Sequence, residues 1–595
     1  MKEFLGCFML FALLVTSTAL GAPPVIAVQP EDQSALLGGT ALFSVQASGT
    51  GPLQLQWRAT LGTTFTNIPG ATNSILTLTN VQVTNRRFAA VVTNLEGAVT
   101  SRLAVLTVLR PPQFSLHPAS AVVVDGTGVS LSVTTTGSTP IEYQWFFNGV
   151  AIEGETGPSV YLPGLTASAE GDYWVTASNI YGSSTSRVAR VSVIPAPSSL
   201  EPRVFTGVPG LSLPYRLFVP QAGASGSGPA ALYPLVLFLH GAGERGTDNF
   251  SQVANWPQAM VFISHANQSR FPLLFVAPQC PVSKTWSDPD MLRALPLFLA
   301  ALGAEFPVDT NRLYVTGLSL GGIGSWDLLR VRPTLFAAAI PQSGAGDPTQ
   351  VNLFKDVPIW NFHSASDSTV PVTFSQEMIQ ALRVAGGRPI YTEYASGGHG
   401  IWGQAYATPG LVEWTLAQRR GVGASVPPDI RIQSPAPDGS STPVPVATNR
   451  VSIAGHVRTL WDTPTTIRWY NYTTHASGAA GSTFDWAVDG VGPLLGGVNR
   501  IGVVASTYSF APVLGGVTML SDSLDLDDQA PIRVVASREG ELLRIDWPGG
   551  GDGTFYLETA ADIAKPAWGS RVPLLQPSVT LPIAAGNAYF RIVRE

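Results

Sequence analysis

The sequence predicts a multidomain chain: a central α/β unit, its sheet mostly parallel with helices on both faces, flanked by all-β sandwiches. Three observations predict it. At 595 residues the chain is too long for a single hydrophobic core. Between residues 204 and 422, short continuous apolar runs alternate with helix-compatible stretches, as expected for strands buried on both faces. On either side, apolar and polar residues alternate between turn-rich segments, which gives strands one buried and one solvated face. Composition agrees, with 60 Gly, 48 Pro and only 12% charged residues. A net charge of -6 without a basic cluster argues against a nucleic-acid partner.

Residues 1–21 carry Lys2, an apolar run from Phe4 to Val15 and small residues at Ala19-Leu-Gly21. This is the layout of a secretory signal peptide, with an uncleaved anchor as the alternative. No later stretch is long and apolar enough to span a bilayer, so a secreted, periplasmic or cell-surface location is expected. Of the two cysteines, Cys7 lies in the leader, and Cys280 lacks metal-ligand companions. No disulfide is then available within the mature chain, and its domains must hold by packing.

Residues 24–109 and 111–195 repeat one another, with Trp57 and Trp145 lying 88 positions apart. Each unit has a strand before its tryptophan (Gly38–Val45, Val129–Val133) and one after it (Phe88–Asn94, Gly171–Asn179). Both resemble immunoglobulin-like domains. Trp57 and Trp145 match the buried tryptophan of that family, and Tyr173 matches its corner tyrosine. The paired cysteines of the family are replaced by Val45 with Ala90 and by Val133 with Val175. A spacer or positioning role is expected for these units, with glycan binding as the alternative. Residues 196–203 read as a linker.

The α/β unit, 204–422, contains the apolar runs Tyr233–Leu239, Leu273–Val276, Leu313–Thr316, Phe336–Ile340 and Ile359–Phe362. Helical candidates are Met291–Leu302, Gly324–Arg330, Thr373–Val384 and Gly410–Arg419. Residues 429–528 read as a further immunoglobulin- or fibronectin-like sandwich, and 530–595 as a small β set that docks on its neighbour.

The chemistry is concentrated in the α/β unit. Gly317-Leu-Ser-Leu-Gly321 joins an apolar run to a helical stretch, the nucleophile-elbow pattern, and makes Ser319 the candidate nucleophile. Side chains at 317 and 321 would collide with neighbouring backbone in so sharp a turn. The N–H of Leu320 and one from His240-Gly-Ala-Gly-Glu-Arg-Gly246, for which Ala242 is the candidate, are suited to hold an oxyanion. His240 itself reads as a structural residue beneath that loop. The base expected downstream is His399, in Ser396-Gly-Gly-His-Gly400, in preference to His363, His456 or His475. The acid is Asp367, with Asp347 as the second candidate. Trp286 and Trp402 are candidates for lining an acyl or sugar pocket, with buried packing as the equal alternative for each. No metal or organic cofactor is implied.

Residues 205–420 resemble the secreted carboxylesterase and polyhydroxybutyrate-depolymerase-like branch of the α/β-hydrolases, which includes feruloyl and acetylxylan esterases and predicted peptidases. The matching pieces are His240–Gly246, Ala277-Pro-Gln279, Gly317–Gly322, Asp367-x-x-Val-Pro371 and Gly398-His399. The resemblance implies a serine carboxylesterase acting on esters, with plant polysaccharide or polyester esters among the substrates. One alternative is a prolyl-oligopeptidase-like peptidase. Another is a surface adhesion or glycan-binding protein with a vestigial core. The sequence carries no signal for oligomeric state.

Overall fold

The computed structural model describes residues 21–220 apart from 62–63 and 83–85, residues 232–422, and segments of 429–594. The expected leader lies outside the described residues except for Gly21.

Residues 25–109 form a sandwich. One sheet runs in the order Gln33–Leu36, Ala104–Leu109, Arg87–Asn94, Gln54–Leu61, Thr64–Asn67, and shorter strand pairs face it. Trp57 is fully buried, and Phe43 and Phe88 pack with it in one apolar cluster. The same plan recurs in 113–194 around Trp145. Val45 with Ala90 and Val133 with Val175 lie in the two cores, where close packing replaces a covalent bridge. The Tyr173 hydroxyl donates to the Ala169 carbonyl at 2.9 Å, pinning the corner to the strand it precedes.

The α/β unit is built on eight strands: β1 (Glu201–Val208), β2 (Leu211–Phe218), β3 (Tyr233–Leu239), β4 (Leu274–Pro278), β5 (Val308–Leu318), β6 (Ala338–Gln342), β7 (Trp360–Ser364) and β8 (Ile390–Tyr394). Their order is β1-β2-β4-β3-β5-β6-β7-β8. From β4 to β8 all neighbours are parallel, with Leu239 opposite Gly317 and Leu318 opposite Gln342. The helices are α1 (Ser251–Ala254), α2 (His265–Arg270), α3 (Pro289–Glu305), α4 (Leu320–Val331), α5 (Thr373–Val384), α6 (Trp402–Tyr406) and α7 (Leu411–Ala417).

Alternation along the strands divides the core. In β3, Leu235, Leu237 and Leu239 join the cluster containing Met291, Leu295 and Leu328, on the side of α3 and α4. Val236 and Phe238 join the other cluster, with Tyr314, Phe362, Trp402 and Tyr406. Each such side chain contributes about 1.5–3 kcal/mol on burial. The second sandwich packs on this latter face: Ile194 belongs to the same cluster, and Val122 and Val124 pack against it. Glu170 accepts a 2.8 Å hydrogen bond from the Ala266 N–H at the start of α2.

Two sequence expectations give way here. The end of the predicted linker is strand: β1 begins at Glu201 and pairs with β2, with Phe205 packed against Phe298 of α3. Among the described residues of 429–528 there are two sheets, one of them Asp429–Ser434 with Val451–Arg458 and Asp485–Val491, but the other is continuous with the α/β sheet and so is not a separate unit. Strands β9 (Asp429–Ser434), β10 (Thr466–Asn471), β11 (Ser477–Gly481), β12 (Val498–Tyr508) and β13 (Val517–Asp527) follow the core. Of these, β13 pairs antiparallel with β8, and β12, β10 and β11 extend the same sheet. The open edge of β8 explains the difference: an edge strand exposes unpaired backbone groups, and β13 covers them.

Candidate active site

Ser319 stands between β5 and α4 at φ 53 and ψ -115, a backbone conformation rarely populated by residues with a side chain. Such strain costs on the order of 1–3 kcal/mol and persists only where the surroundings enforce it. They do so here. The Ser319 N–H donates to the Gln342 carbonyl at 2.9 Å, and its own carbonyl accepts the first bond of α4 from Ile323. A Cβ at Gly321 would lie 1.9 Å from the Leu239 carbonyl oxygen, and one at Gly317 would lie 2.3 Å from that of Gly321. Both positions therefore require glycine for close approach of backbone.

His399 follows β8 on a loop whose Gly398 N–H is held by Ser366 Oγ at 3.0 Å. Its Nε2 lies 2.8 Å from Ser319 Oγ and its Nδ1 lies 2.7 Å from Asp367 Oδ2. A carboxylate only accepts, so Nδ1 carries the proton and Nε2 is left to accept from the serine hydroxyl. Asp367 follows β7 with no exposed side-chain surface. Its other oxygen, Oδ1, accepts from the N–H groups of Thr369 and Val370 at 2.8 and 2.9 Å. Burial pushes the Asp367 carboxyl upward, but the bonds from His399, Val370 and Thr369 outweigh it and hold the group below its ordinary value.

His363, passed over as the base in favour of His399, is a second neighbour of that carboxylate. Its Nε2 is 3.2 Å from Asp367 Oδ2 and 2.9 Å from the Val370 carbonyl, and its Nδ1 is 2.7 Å from Ser375 Oγ. Burial lowers its pKa, which keeps the ring neutral at pH 7. Only the distance along the chain was readable in advance, not the turn that folds Asp367 back over β7. Asp347 does not join the group: it accepts from the N–H and hydroxyl of Thr349 and starts a short 3-10 turn. His456 pairs with Asp485, on a β strand outside the α/β unit.

The loop after β3 reaches the same point. A Cβ at Gly241 would be 3.6 Å from that of Ser319. Ala242 opens a 3-10 turn and Leu320 opens α4, so neither N–H has an acceptor within its own helical turn. Three contacts fix the loop: Gly246 N–H to the Cys280 carbonyl, Gln279 Nε2 to the Glu244 carbonyl, and Arg245 Nε to the Ala242 carbonyl. The Cys280 thiol, fully buried, has its pKa pushed up to about 12 by desolvation and is chemically inert.

His240 lies beneath the loop with no exposed surface. Its Nε2 accepts from the Cys280 N–H at 2.9 Å, which leaves Nδ1–H to donate to the Gly241 carbonyl at 2.6 Å. Burial lowers its pKa to about 4. The unfolded chain then binds this proton below about pH 6.5 while the folded chain does not, so stability is full above that pH. It falls as pH drops towards 4 and levels off below. We expect His240→Asn to flatten the fall in denaturant-derived stability between pH 6.5 and 4, relative to the parent, by about 3 kcal/mol. An unchanged slope would show that the imidazole is not the group responsible.

Both tryptophans are buried, Trp286 at 0% and Trp402 at 2% exposure. Trp286 is fully buried, and its Nε1 donates to the His240 carbonyl at 2.9 Å. It presents no face to a ligand, so of the two roles open to it in the sequence it takes packing, beneath the loop. Trp402 stands edge-on to the His399 ring at 5.1 Å and to Trp256 at 6.0 Å. Trp256 in turn donates to the buried Glu244 carboxylate at 3.2 Å. Trp256 was not singled out as a site residue, because the segment 250–270 carries no periodic apolar signal, and Glu244 was read only as part of the loop His240–Gly246. Among the described residues, no group of three or more His, Cys, Asp or Glu side chains is gathered as metal ligands. Nor is any helix among them long and apolar enough to cross a membrane.

The family model of the immunoglobulin domain matches residues 111–179. Among curated proteins, endoglucanase C of Cellulomonas fimi is 29% identical over 177 residues, which are 29% of this chain and 16% of that protein. Among solved structures, a thermostable esterase is 28% identical over 62% of this chain and 90% of its own, with a TM-score of 0.36. An I-band fragment of titin is 20% identical over 37% of this chain and 72% of its own, with a TM-score of 0.23.

Proposed function

We propose that the protein is a secreted serine carboxylesterase that cleaves carboxylic esters through an acyl-enzyme on Ser319. The observation that carries this reading is the line Ser319 Oγ, His399, Asp367, with contacts of 2.8 and 2.7 Å, ending on a serine held in a strained turn. Ser319 Oγ attacks the ester carbonyl while His399 Nε2 takes its proton. Asp367 stabilises the imidazolium without itself being protonated. The N–H groups of Leu320 and Ala242 receive the oxyanion, each worth on the order of 3 kcal/mol of barrier. His399 then protonates the leaving alcohol, and a water molecule repeats the cycle and frees the acid.

The partial likeness to an endoglucanase favours esters carried on polysaccharide as the first natural substrates to try. Treatment with a fluorophosphonate, which traps only an activated serine, tests the reading directly. One equivalent is expected on the peptide containing Ser319, with loss of nitrophenyl acetate hydrolysis in step. Full activity in protein left unlabelled at Ser319 would refute it.

A further inference from the structure

The loop after β3 carries a carboxylate that the chemistry at Ser319 does not use. Glu244 is 6% exposed, and its Oε1 accepts from Trp256 Nε1 at 3.2 Å and from Asn255 Nδ2 at 3.4 Å. Its other oxygen, Oε2, is bonded to no donor among the described residues. His240 Nδ1 stands 4.0 Å away and already donates to the Gly241 carbonyl. Arg245, next along the loop, gives its donors to the carbonyls of Ala242, Val282 and Lys284 and not to this carboxylate. A buried carboxylate oxygen without a donor costs free energy until a partner supplies one. That oxygen borders the nucleophile: a Cβ built on Gly241 would be 3.1 Å from Glu244 Oε2 and 3.6 Å from Ser319 Cβ, so both lie against the same glycine.

Trp256 holds this carboxylate in place and is itself only half-buried, whereas its neighbour Trp402 is fully covered. Ring contacts run from Trp256 to Trp402 at 6.0 Å and from Trp402 to His399 at 5.1 Å. His399 must deliver a proton to the leaving alcohol, so that alcohol lies against the imidazole, where this aromatic wall begins. An aromatic face packs on C–H groups, and a carboxylate oxygen accepts strongly from a hydroxyl. The pair suits an alcohol that is apolar on one face and hydroxylated beside the ester.

We propose that Glu244, held by Trp256, determines specificity for the leaving alcohol: its Oε2 accepts a hydrogen bond from a free hydroxyl adjacent to the scissile ester. The favoured substrates are then esters of diols and polyols in which one hydroxyl is acylated and its neighbour is free. An ester lacking that hydroxyl leaves Oε2 unpaired beneath the bound alcohol and is discriminated against. The inference rests on the esterase reading, and it gives Glu244 no part in the bond-making steps.

Two esters of similar shape test it: the monoacetate of trans-cyclohexane-1,2-diol, with a free hydroxyl beside the ester, and cyclohexyl acetate, with none. Their kcat/KM values are measured on the full chain, and each is divided by the same ester's rate constant with hydroxide to remove the leaving-group difference. The diol ester is expected to be preferred at least about tenfold. Glu244→Leu is expected to bring that ratio to about one. A slackened loop would slow both esters alike and leave the ratio standing, which separates recognition from a structural role. Should the leucine variant fold poorly, Glu244→Gln keeps the shape: its amide oxygen takes the Trp256 bond, an NH₂ group replaces Oε2, and the ratio is expected to fall at least about threefold. A ratio near one in the parent, a ratio that survives both substitutions, or turnover of nitrophenyl acetate without either cyclohexyl ester overturns the proposal. Absence of all turnover, nitrophenyl acetate included, would instead remove the esterase reading, and this inference with it.

Discussion

Ser319→Ala is expected to lower kcat for nitrophenyl acetate by a factor on the order of 10⁵–10⁶, close to complete removal of the apparatus. His399 Nε2 lies 2.8 Å from the hydroxyl, and among the described residues no other hydroxyl is bonded to that nitrogen. The oxyanion-binding N–H groups remain, so a residue of turnover above the uncatalysed rate persists. Stability should change little, because the alanine keeps a Cβ at φ 53 and pays the same strain. Ser319→Gly separates the two effects. It is equally inactive, but releases the strain and is expected to be more stable by about 1 kcal/mol in chemical denaturation. Retained hydrolysis in the alanine variant would remove Ser319 from the chemistry.

Asp367→Asn should cost a factor of about 10⁴ in kcat. The reason lies in which oxygen does what. Oδ1 accepts from two backbone N–H groups, so the amide oxygen of an asparagine must occupy that position. Its NH₂ group then faces His399 Nδ1, where Oδ2 stood at 2.7 Å. Two donors cannot face each other, so the ring takes the other tautomer and presents Nε2–H to the serine, unable to accept its proton. Asp347→Asn is the control, since that carboxylate only caps a turn, and it should leave turnover within about twofold of the parent. A loss smaller than about tenfold in Asp367→Asn would mean that the carboxylate does not set the tautomer.

The parts of this arrangement readable in advance are those where local chain geometry forces the residue type. Gly317 and Gly321 are needed wherever backbone must approach backbone so closely, and the surrounding strand and helix patterns placed the turn. The repeat of Trp57 and Trp145 was similarly plain, because a large buried ring at a fixed spacing has few alternatives. What was not readable depends on residues meeting across long stretches of chain. Trp286 looks the same in sequence whether it faces a ligand or packs under a loop, and only the bond to the His240 carbonyl decides. Glu244 and Trp256 come together through the 250–270 segment, whose short turns have no period to detect. The partner of β8 was hidden for the same reason: alternation announces a strand but does not say beside which strand it will lie.

That last pairing has a bearing on how the molecule is made. The edge at Ile390–Tyr394 waits for Val517–Met519, which leave the ribosome only after the whole intervening stretch has been synthesised. Until then the growing chain holds a half-finished platform with one side bare, open to pairing with the wrong neighbour. Contacts so distant along the chain also close slowly. Maturation of the central unit is therefore tied to the arrival of a late segment.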